Sequence, residues 1–133
     1  MNYLDPSFTK ADIGQVSVLG LAHVGDGVYE LMVRTWLLAH AHTASPELHR
    51  LTVGLVNAPA QAARFAAIAD LLTEEELSVF RRGRNAKVHQ IPHHASTAQY
   101  HVATGVEALF GWLYLSGRQL RINELFERMM ENA

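Results

Sequence analysis

Apolar residues recur along this chain three or four positions apart, and they nowhere alternate over a length that would indicate a half-buried β-strand. The residues that favour helices, chiefly Ala, Leu, Glu, Arg, Met and Gln, dominate the composition. The pattern therefore predicts an all-α fold. The expected helices cover residues 16–42, 45–56, 60–72, 73–82, 97–117 and 121–130.

Short polar motifs mark the starts of three of these helices. Ser45-Pro46-Glu47 is typical of a helix start, because proline is tolerated in the first turn. Thr73-Glu74-Glu75-Glu76 is a capping box, in which the threonine and the last glutamate satisfy each other's backbone N–H groups. Ser96 or Thr97 can cap the next helix in the same way.

Length and composition narrow the class of protein. With 133 residues, of which 49% are hydrophobic and 18% charged, residues 1–133 are expected to form a single globular domain. No apolar run reaches the roughly 18 to 20 residues of a membrane span, and the N terminus shows no signal or transit peptide, so a cytoplasmic protein is expected. The absence of cysteine excludes disulfides, thiolate catalysis and sulfur-ligated zinc.

The net charge is −2, but the charges are unevenly distributed. Residues 77–106 contain no Asp or Glu. Gly83 is expected to end a helix there, and residues 84–96 are expected to form an exposed loop. Most charge runs are solvated surface, but here Gly and Asn accompany basic groups that no acid neutralises, as a phosphate-binding surface requires. The candidate phosphate-contacting residues are Arg82, Arg84, Asn85 and Lys87.

Asp26 lies between two glycines in an apolar helical segment. Small neighbours allow a ligand or another backbone to approach closely, so Asp26 is open to a functional or a structural interpretation. Glu30 follows one turn later on the same face. It precedes Arg34 by four residues, and an exposed salt bridge explains it without any function.

Glu107 is the only acidic residue between Glu76 and Glu124, and its neighbours are small or apolar. An unpaired buried carboxylate would be strongly destabilising or would shift its pKa, so this charge needs a partner. The partner is either a basic side chain from the loop or a divalent cation shared with Asp26. Oxygen ligands without sulfur favour Mg²⁺ or Mn²⁺, which can activate water and stabilise charge on a phosphoryl group.

The histidines offer a competing metal site. His89, His93 and His94 have a plausible spacing for imidazole ligands, although they lie in the expected irregular loop. This interpretation predicts a bound zinc or nickel ion and no affinity for RNA.

Three motifs, in order along the chain, resemble those of the Mini-III ribonucleases. These are short members of the ribonuclease III superfamily that consist of the catalytic domain without a double-stranded RNA-binding domain. The motifs are LAHVGDGVYE at 21–30, RGRNAK at 82–87 and YHVATGVEAL at 100–109. The resemblance covers nearly the whole chain.

The resemblance implies an all-α, homodimeric ribonuclease III-type endonuclease domain. It implies cleavage of double-stranded RNA with Mg²⁺, or Mn²⁺ in its place, to give 5′-phosphate ends. By position, Asp26 and Glu107 correspond to the catalytic, metal-binding carboxylates. Ala22 and Thr104 stand where larger ribonuclease III enzymes have two further carboxylates.

The implied substrate is a precursor of the large-subunit ribosomal RNA, with a ribosomal protein that presents it as a further partner. Without a dedicated binding domain, recognition should depend on phosphate charge and A-form shape rather than on bases. The candidate RNA contacts are then Arg82, Arg84, Asn85 and Lys87. The alternative function is that of a non-catalytic helical RNA-binding dimer with the same fold.

Overall fold

The computed structural model describes residues 1–40, 45–87 and 95–133 of the chain. These residues form helices and connecting turns without a β-strand, so the all-α prediction is confirmed. No helix within them is both long and apolar enough to cross a lipid bilayer. The helices are α1 (Lys10–Gly14), α2 (Val18–Ala39), α3 (Ser45–Val56), α4 (Ala58–Phe65), α5 (Glu74–Arg84), α6 (Thr97–Leu115) and α7 (Gln119–Met129), with a 3₁₀ turn at Ala69–Leu71.

Helix α6 lies at the centre of the fold and contacts α2, α4, α5 and α7. Its side chains from Ala103 onward are buried almost all the way round, which explains why its sequence is apolar on every face. The fully buried ring of Tyr29, on α2, meets the rings of Phe110 and Phe126 edge-on at centroid distances of 5.6 and 5.8 Å. These aromatic contacts join α2, α6 and α7 into one core.

Helix α5 continues to Arg84, so the prediction that Gly83 ends this helix is wrong. Gly83 is buried where α5 crosses α6, and a Cβ at this position would lie only 2.7 Å from the Cβ of Ala108. Gly105 faces it from α6, where a Cβ would meet the ring of Phe80 at 2.7 Å. This glycine therefore allows two helices to pack closely and does not terminate one.

The prediction of a single helix over residues 60–72 is also wrong, because the helix is interrupted in the middle. Helix α4 starts after Asn57, whose side chain caps it by accepting a bond from the backbone N–H of Ala60, and it ends at Phe65. The chain then turns and buries Ile68 completely before the short 3₁₀ turn. Burial of the Ile68 side chain, worth about 1.5 to 3 kcal/mol, outweighs the high helix propensity of the surrounding alanines, which is worth less than about 1 kcal/mol per residue.

The helix starts predicted from polar motifs are confirmed. Thr73 Oγ1 accepts a bond from the backbone N–H of Glu76 at 3.1 Å, and Glu76 Oε1 accepts one from Thr73 at 2.9 Å. Ser96 and Gln99 form an equivalent capping box at the start of α6. Much of the expected loop, residues 88–94, lies outside the described residues, and so does the candidate imidazole site at His89, His93 and His94.

Candidate active site

The candidate site lies where α2 crosses α6 in backbone contact. A Cβ on Gly25 would lie 1.7 Å from the backbone oxygen of Glu107, and a Cβ on Gly111 would lie 1.9 Å from that of Leu21. Only glycine fits at either position, because any larger residue would push the two helices apart. The crossing therefore brings Asp26, the residue after Gly25, next to Glu107 on the facing helix.

Two carboxyl groups of different exposure meet at this crossing. Asp26 is exposed to solvent, whereas Glu107 is largely buried, and the two lie within hydrogen-bonding reach of each other. Burial, first, and then the negative charge of Asp26 raise the pKa of Glu107 to about 8. Without a bound cation, Glu107 is therefore mostly protonated at neutral pH.

Sequence reasoning missed Gln61, which contacts Glu107 from α4. Its Nε2 donates to Glu107 Oε2 at 3.3 Å and to the backbone oxygen of Val56 at 2.9 Å, and its side chain is buried. A signal was present, because Gln61, Phe65 and Ile68 follow the i, i+4, i+7 spacing of an inward face. An amide at such a core position needs a polar partner in the interior.

Tyr29 and Arg64 lie behind the carboxylates. Burial raises the pKa of Tyr29 to about 12; the guanidinium of Arg64 opposes this shift and the charge of Glu107 adds to it. Arg64 directs its NH1 group to the backbone oxygen of Met129, at 3.0 Å. The Arg64 guanidinium is thus hydrogen-bonded to the C-terminal end of α7.

The two positions at which the resemblance implies further carboxylates in larger enzymes, Ala22 and Thr104, are apolar or hydrogen-bonded here. Ala22 lies one turn before Asp26 and is 6% exposed. Thr104 lies one turn before Glu107, is 5% exposed and donates its hydroxyl to the backbone oxygen of Tyr100 at 3.0 Å. Among the described residues, no group of three or more His, Asp or Glu side chains is placed to hold a metal. The site therefore offers two carboxylate ligands.

Three of the predicted RNA-contacting residues lie at the end of α5 or just after it: Arg84, Asn85 and Lys87. The guanidinium of Arg84 lies over the ring of Phe80, 5.7 Å from its centroid, and its Nε donates to Asn85 Oδ1 at 3.2 Å. Asn85 and Lys87 are exposed. In the part of the chain described, none of these side chains bonds to either carboxylate, so no basic residue from this segment is the partner of Glu107.

The fourth, Arg82, lies on another side of α5. Arg82 and Arg84 are two residues apart, so their side chains project about 160° apart around the helix. Arg82 lines a pocket of about 360 Å³ with Lys10, Trp112 and Arg118. The structure therefore does not bring the four predicted contacts together on one surface.

The structural interpretation of Glu30 is confirmed. Its carboxylate forms a salt bridge with the Arg34 guanidinium at 2.9 Å, and the two side chains are 41% and 62% exposed, respectively. An exposed pair of this kind contributes little to stability. Glu30 is thus paired with a basic side chain, whereas within residues 1–40, 45–87 and 95–133 no salt bridge involves Asp26.

Comparisons with known proteins place this geometry in a family. A family model described as the Ribonuclease III domain matches residues 19–118. A Mini-ribonuclease 3 from Clostridium tetani is 39% identical over 126 residues, covering 94% of this chain and 83% of that protein. A Mini-ribonuclease 3 from Symbiobacterium thermophilum is 45% identical, covering 82% of this chain and 84% of that protein.

A solved structure shares the fold. The crystal structure of a Fusobacterium nucleatum protein superimposes with a TM-score of 0.80 and 29% sequence identity. It covers 90% of this chain, and this chain covers 96% of it. Both the motifs and the architecture are therefore those of known proteins.

Proposed function

This chain belongs to the ribonuclease III family, and we propose that it cleaves double-stranded RNA with a divalent cation held by Asp26 and Glu107. Its similarity to Mini-ribonuclease 3 proteins over most of their length makes it an endoribonuclease for double-stranded RNA. The observation that supports the cation site is the pairing of two carboxyl groups at the α2–α6 crossing.

The residues at the crossing fit Mg²⁺, or Mn²⁺ in its place. Mg²⁺ in proteins is commonly bound by only one or two carboxylates, while water and phosphate oxygens complete its octahedron. A site reduced to two carboxylates by Ala22 and Thr104 is therefore sufficient. When bound, the cation would orient water for in-line attack on phosphorus and neutralise charge on the phosphoryl oxygens, giving 5′-phosphate ends.

Each carboxylate would have a separate task in this chemistry. Asp26 is exposed and is the group that approaching RNA can reach first. Glu107 is held from behind by Gln61 and has a raised pKa, so it releases a proton as a cation binds. The backbone contact at Gly25 fixes the distance between the two helices that carry them.

The proposed contacts to the RNA backbone are Arg84, Asn85 and Lys87 at the end of α5, with Arg82 contacting a separate stretch of phosphates. Three of them are basic, and all except the partly buried Arg84 are exposed, which suits contacts with phosphate oxygens. A-form RNA offers its shape and backbone more readily than its base edges. The proposed natural substrate is a precursor of large-subunit ribosomal RNA, presented by a ribosomal protein. Such a substrate would place the reaction in the cytoplasm.

A homodimer is the proposed assembly. Two adjoining grooves of about 580 and 310 Å³ share Leu31, Met32 and Asn123 and form one apolar strip between α2 and α7. Leu31 and Leu120 along this strip are 57% and 90% exposed. A contiguous apolar surface is typical of a protein interface. A second copy of the chain would bury this α2–α7 strip, on the helix that carries Asp26.

The proposed function is tested by cleavage of a long double-stranded RNA in Mg²⁺ and in chelator. The variants are Asp26→Asn and Glu107→Gln, with Glu30→Gln as the control, since Glu30 lies one turn from Asp26 but is paired with Arg34. We expect Mg²⁺-dependent cleavage that both site variants abolish and the control retains. Gel analysis of end-labelled RNA measures the rate and the 5′ ends.

Either of two results would contradict the proposal. Full cleavage by both site variants would remove the carboxylates from the mechanism. Binding of RNA without any metal-dependent cleavage by the wild-type protein would favour the non-catalytic RNA-binding dimer.

A further inference from the structure

Gln61 is a polar side chain in an interior position, and only 1% of it is exposed. Its amide nitrogen donates to two acceptors, the backbone oxygen of Val56 at 2.9 Å and Glu107 Oε2 at 3.3 Å. Its amide oxygen is buried without a protein partner in the described structure. A buried amide oxygen without a partner is unfavourable, so keeping the amide here indicates that its two donated hydrogen bonds have a task.

We propose that Gln61 is the positioning residue of the cation site: it fixes one oxygen of Glu107 and leaves the other oxygen to the cation. The inference rests on the proposed function of the Asp26–Glu107 pair. Gln61 itself does not touch cation or RNA. It acts through Glu107, as side chains behind metal ligands commonly do.

A neutral donor is well suited to this position. Gln61 supplies a hydrogen-bond donor to Glu107 Oε2 without adding a positive charge to the site. A lysine or arginine there would neutralise the carboxylate and compete with the cation for it. Arg64, one turn later on α4, donates instead to the backbone of Met129, so the interior of the site keeps its negative charge for a cation.

The alternative role for Gln61 is only to connect α3 to α4 through Val56. The chain already has a second connection of that kind in Asn57. Asn57 Nδ2 donates to the backbone oxygen of Val53 at 3.0 Å, and its Oδ1 accepts from Ala60 at 2.8 Å. Asn57 makes no bond to Glu107 and is therefore a matched control for the structural role.

The test compares Gln61→Met, which keeps the length of the side chain without its donor, with Asn57→Ala. Gln61→Asn is the second variant; it keeps the amide but is one methylene too short to reach both acceptors. Binding of Mn²⁺ without RNA is followed by the electron paramagnetic resonance signal of the free ion. Thermal unfolding in chelator reports on the fold, and cleavage rates are measured against Mg²⁺ concentration.

We expect both Gln61 variants to bind Mn²⁺ about tenfold more weakly and to need correspondingly more Mg²⁺ for half-maximal cleavage. Asn57→Ala should lower the unfolding temperature and leave Mn²⁺ affinity unchanged. Wild-type Mn²⁺ affinity in Gln61→Asn, or in a folded Gln61→Met, would overturn the inference, as would equal weakening in Asn57→Ala. Failure of the wild-type protein to bind Mn²⁺ or to cleave RNA would instead overturn the proposed function.

Discussion

Replacing Glu107 by glutamine should make the cation-free protein more stable while abolishing its activity. Glu107 is largely buried, lies beside Asp26, and has a pKa raised to about 8. In the unfolded chain the same carboxyl group has a pKa near 4.5. The proposed cation site would thus destabilise the fold whenever the cation is absent.

The sign follows from proton binding. Between pH 4.5 and 8 the folded protein retains the Glu107 proton that the unfolded chain releases, so the wild-type free energy of unfolding falls as pH rises through this window. Each tenfold difference in proton affinity is worth about 1.4 kcal/mol. Glutamine is neutral throughout and can still accept the Gln61 bond. We therefore expect Glu107→Gln to raise the free energy of unfolding at pH 8 by about 2 to 4 kcal/mol. This corresponds to a rise in Tm of roughly 10 °C for a protein of this size.

The assay is thermal or urea unfolding in chelator at several pH values from 5 to 8.5. The matched control is Glu76→Gln. Glu76 is also buried, at 2% exposure, but both its oxygens accept bonds from Arg121 at 2.8 Å. The Arg121 hydrogen bonds hold the pKa of Glu76 below its usual range. The free energy of unfolding of Glu76→Gln should therefore be about 3 kcal/mol lower than that of the wild type, mostly at pH values above the carboxyl pKa. Two buried glutamates should thus respond with opposite signs.

The reasoning is refuted if Glu107→Gln is no more stable than the wild type at pH 8 in chelator, or if the difference does not shrink toward pH 5. Added Mg²⁺ gives a second readout. It should stabilise the wild-type protein in proportion to binding and leave the variant unchanged. Equal stabilisation of both proteins would place the cation elsewhere.

Three further perturbations test the architecture, the interface and the RNA surface. Gly25→Ala forces a Cβ into the α2–α6 contact and should lower the free energy of unfolding, measured with urea, by about 3 kcal/mol. Gly54→Ala, which has open space around it, should raise the free energy of unfolding by about 0.5 to 1 kcal/mol, and equal effects of the two variants would contradict the close crossing. Leu31→Arg should convert a dimer to a monomer in sedimentation velocity, and an unchanged mass would refute the α2–α7 strip as the interface. Arg84→Ala should weaken RNA binding and reduce by about one the slope of log affinity against log salt concentration. Arg50, which is paired with Glu47 on α3, is the control, and Arg50→Ala should leave this slope unchanged. Matching slopes for the two variants would exclude the end of α5 from the RNA surface.

Much of the local structure is determined by short-range sequence features. The capping boxes at Thr73 and Ser96 start α5 and α6 where the sequence predicts, because side chain and backbone satisfy each other within three residues. The apolar character of the α6 sequence likewise indicates a helix surrounded by others. Asp26 and Glu107 stand out for a related local reason: each is an acid among small or apolar residues.

Tertiary packing decided what local patterns could not. Gly83 is chemically suited to end a helix, and only its contact with Ala108 shows that it instead allows a crossing. The break after Phe65 depends on a place in the core for Ile68. In both cases the deciding energy comes from residues distant in sequence, and local propensity is too weak to compete with it.

The same distinction between local sequence and tertiary packing applies to the candidate site. The sequence by itself determined the helical class, the capped helix starts and the two carboxylates. Only the tertiary structure determined that these carboxylates touch, that the pKa of Glu107 rises to about 8, and that Gln61 is bonded behind them. The physical reason is that desolvation and Coulomb interaction depend on distances between α2, α4 and α6, which the packing of glycines and core side chains sets.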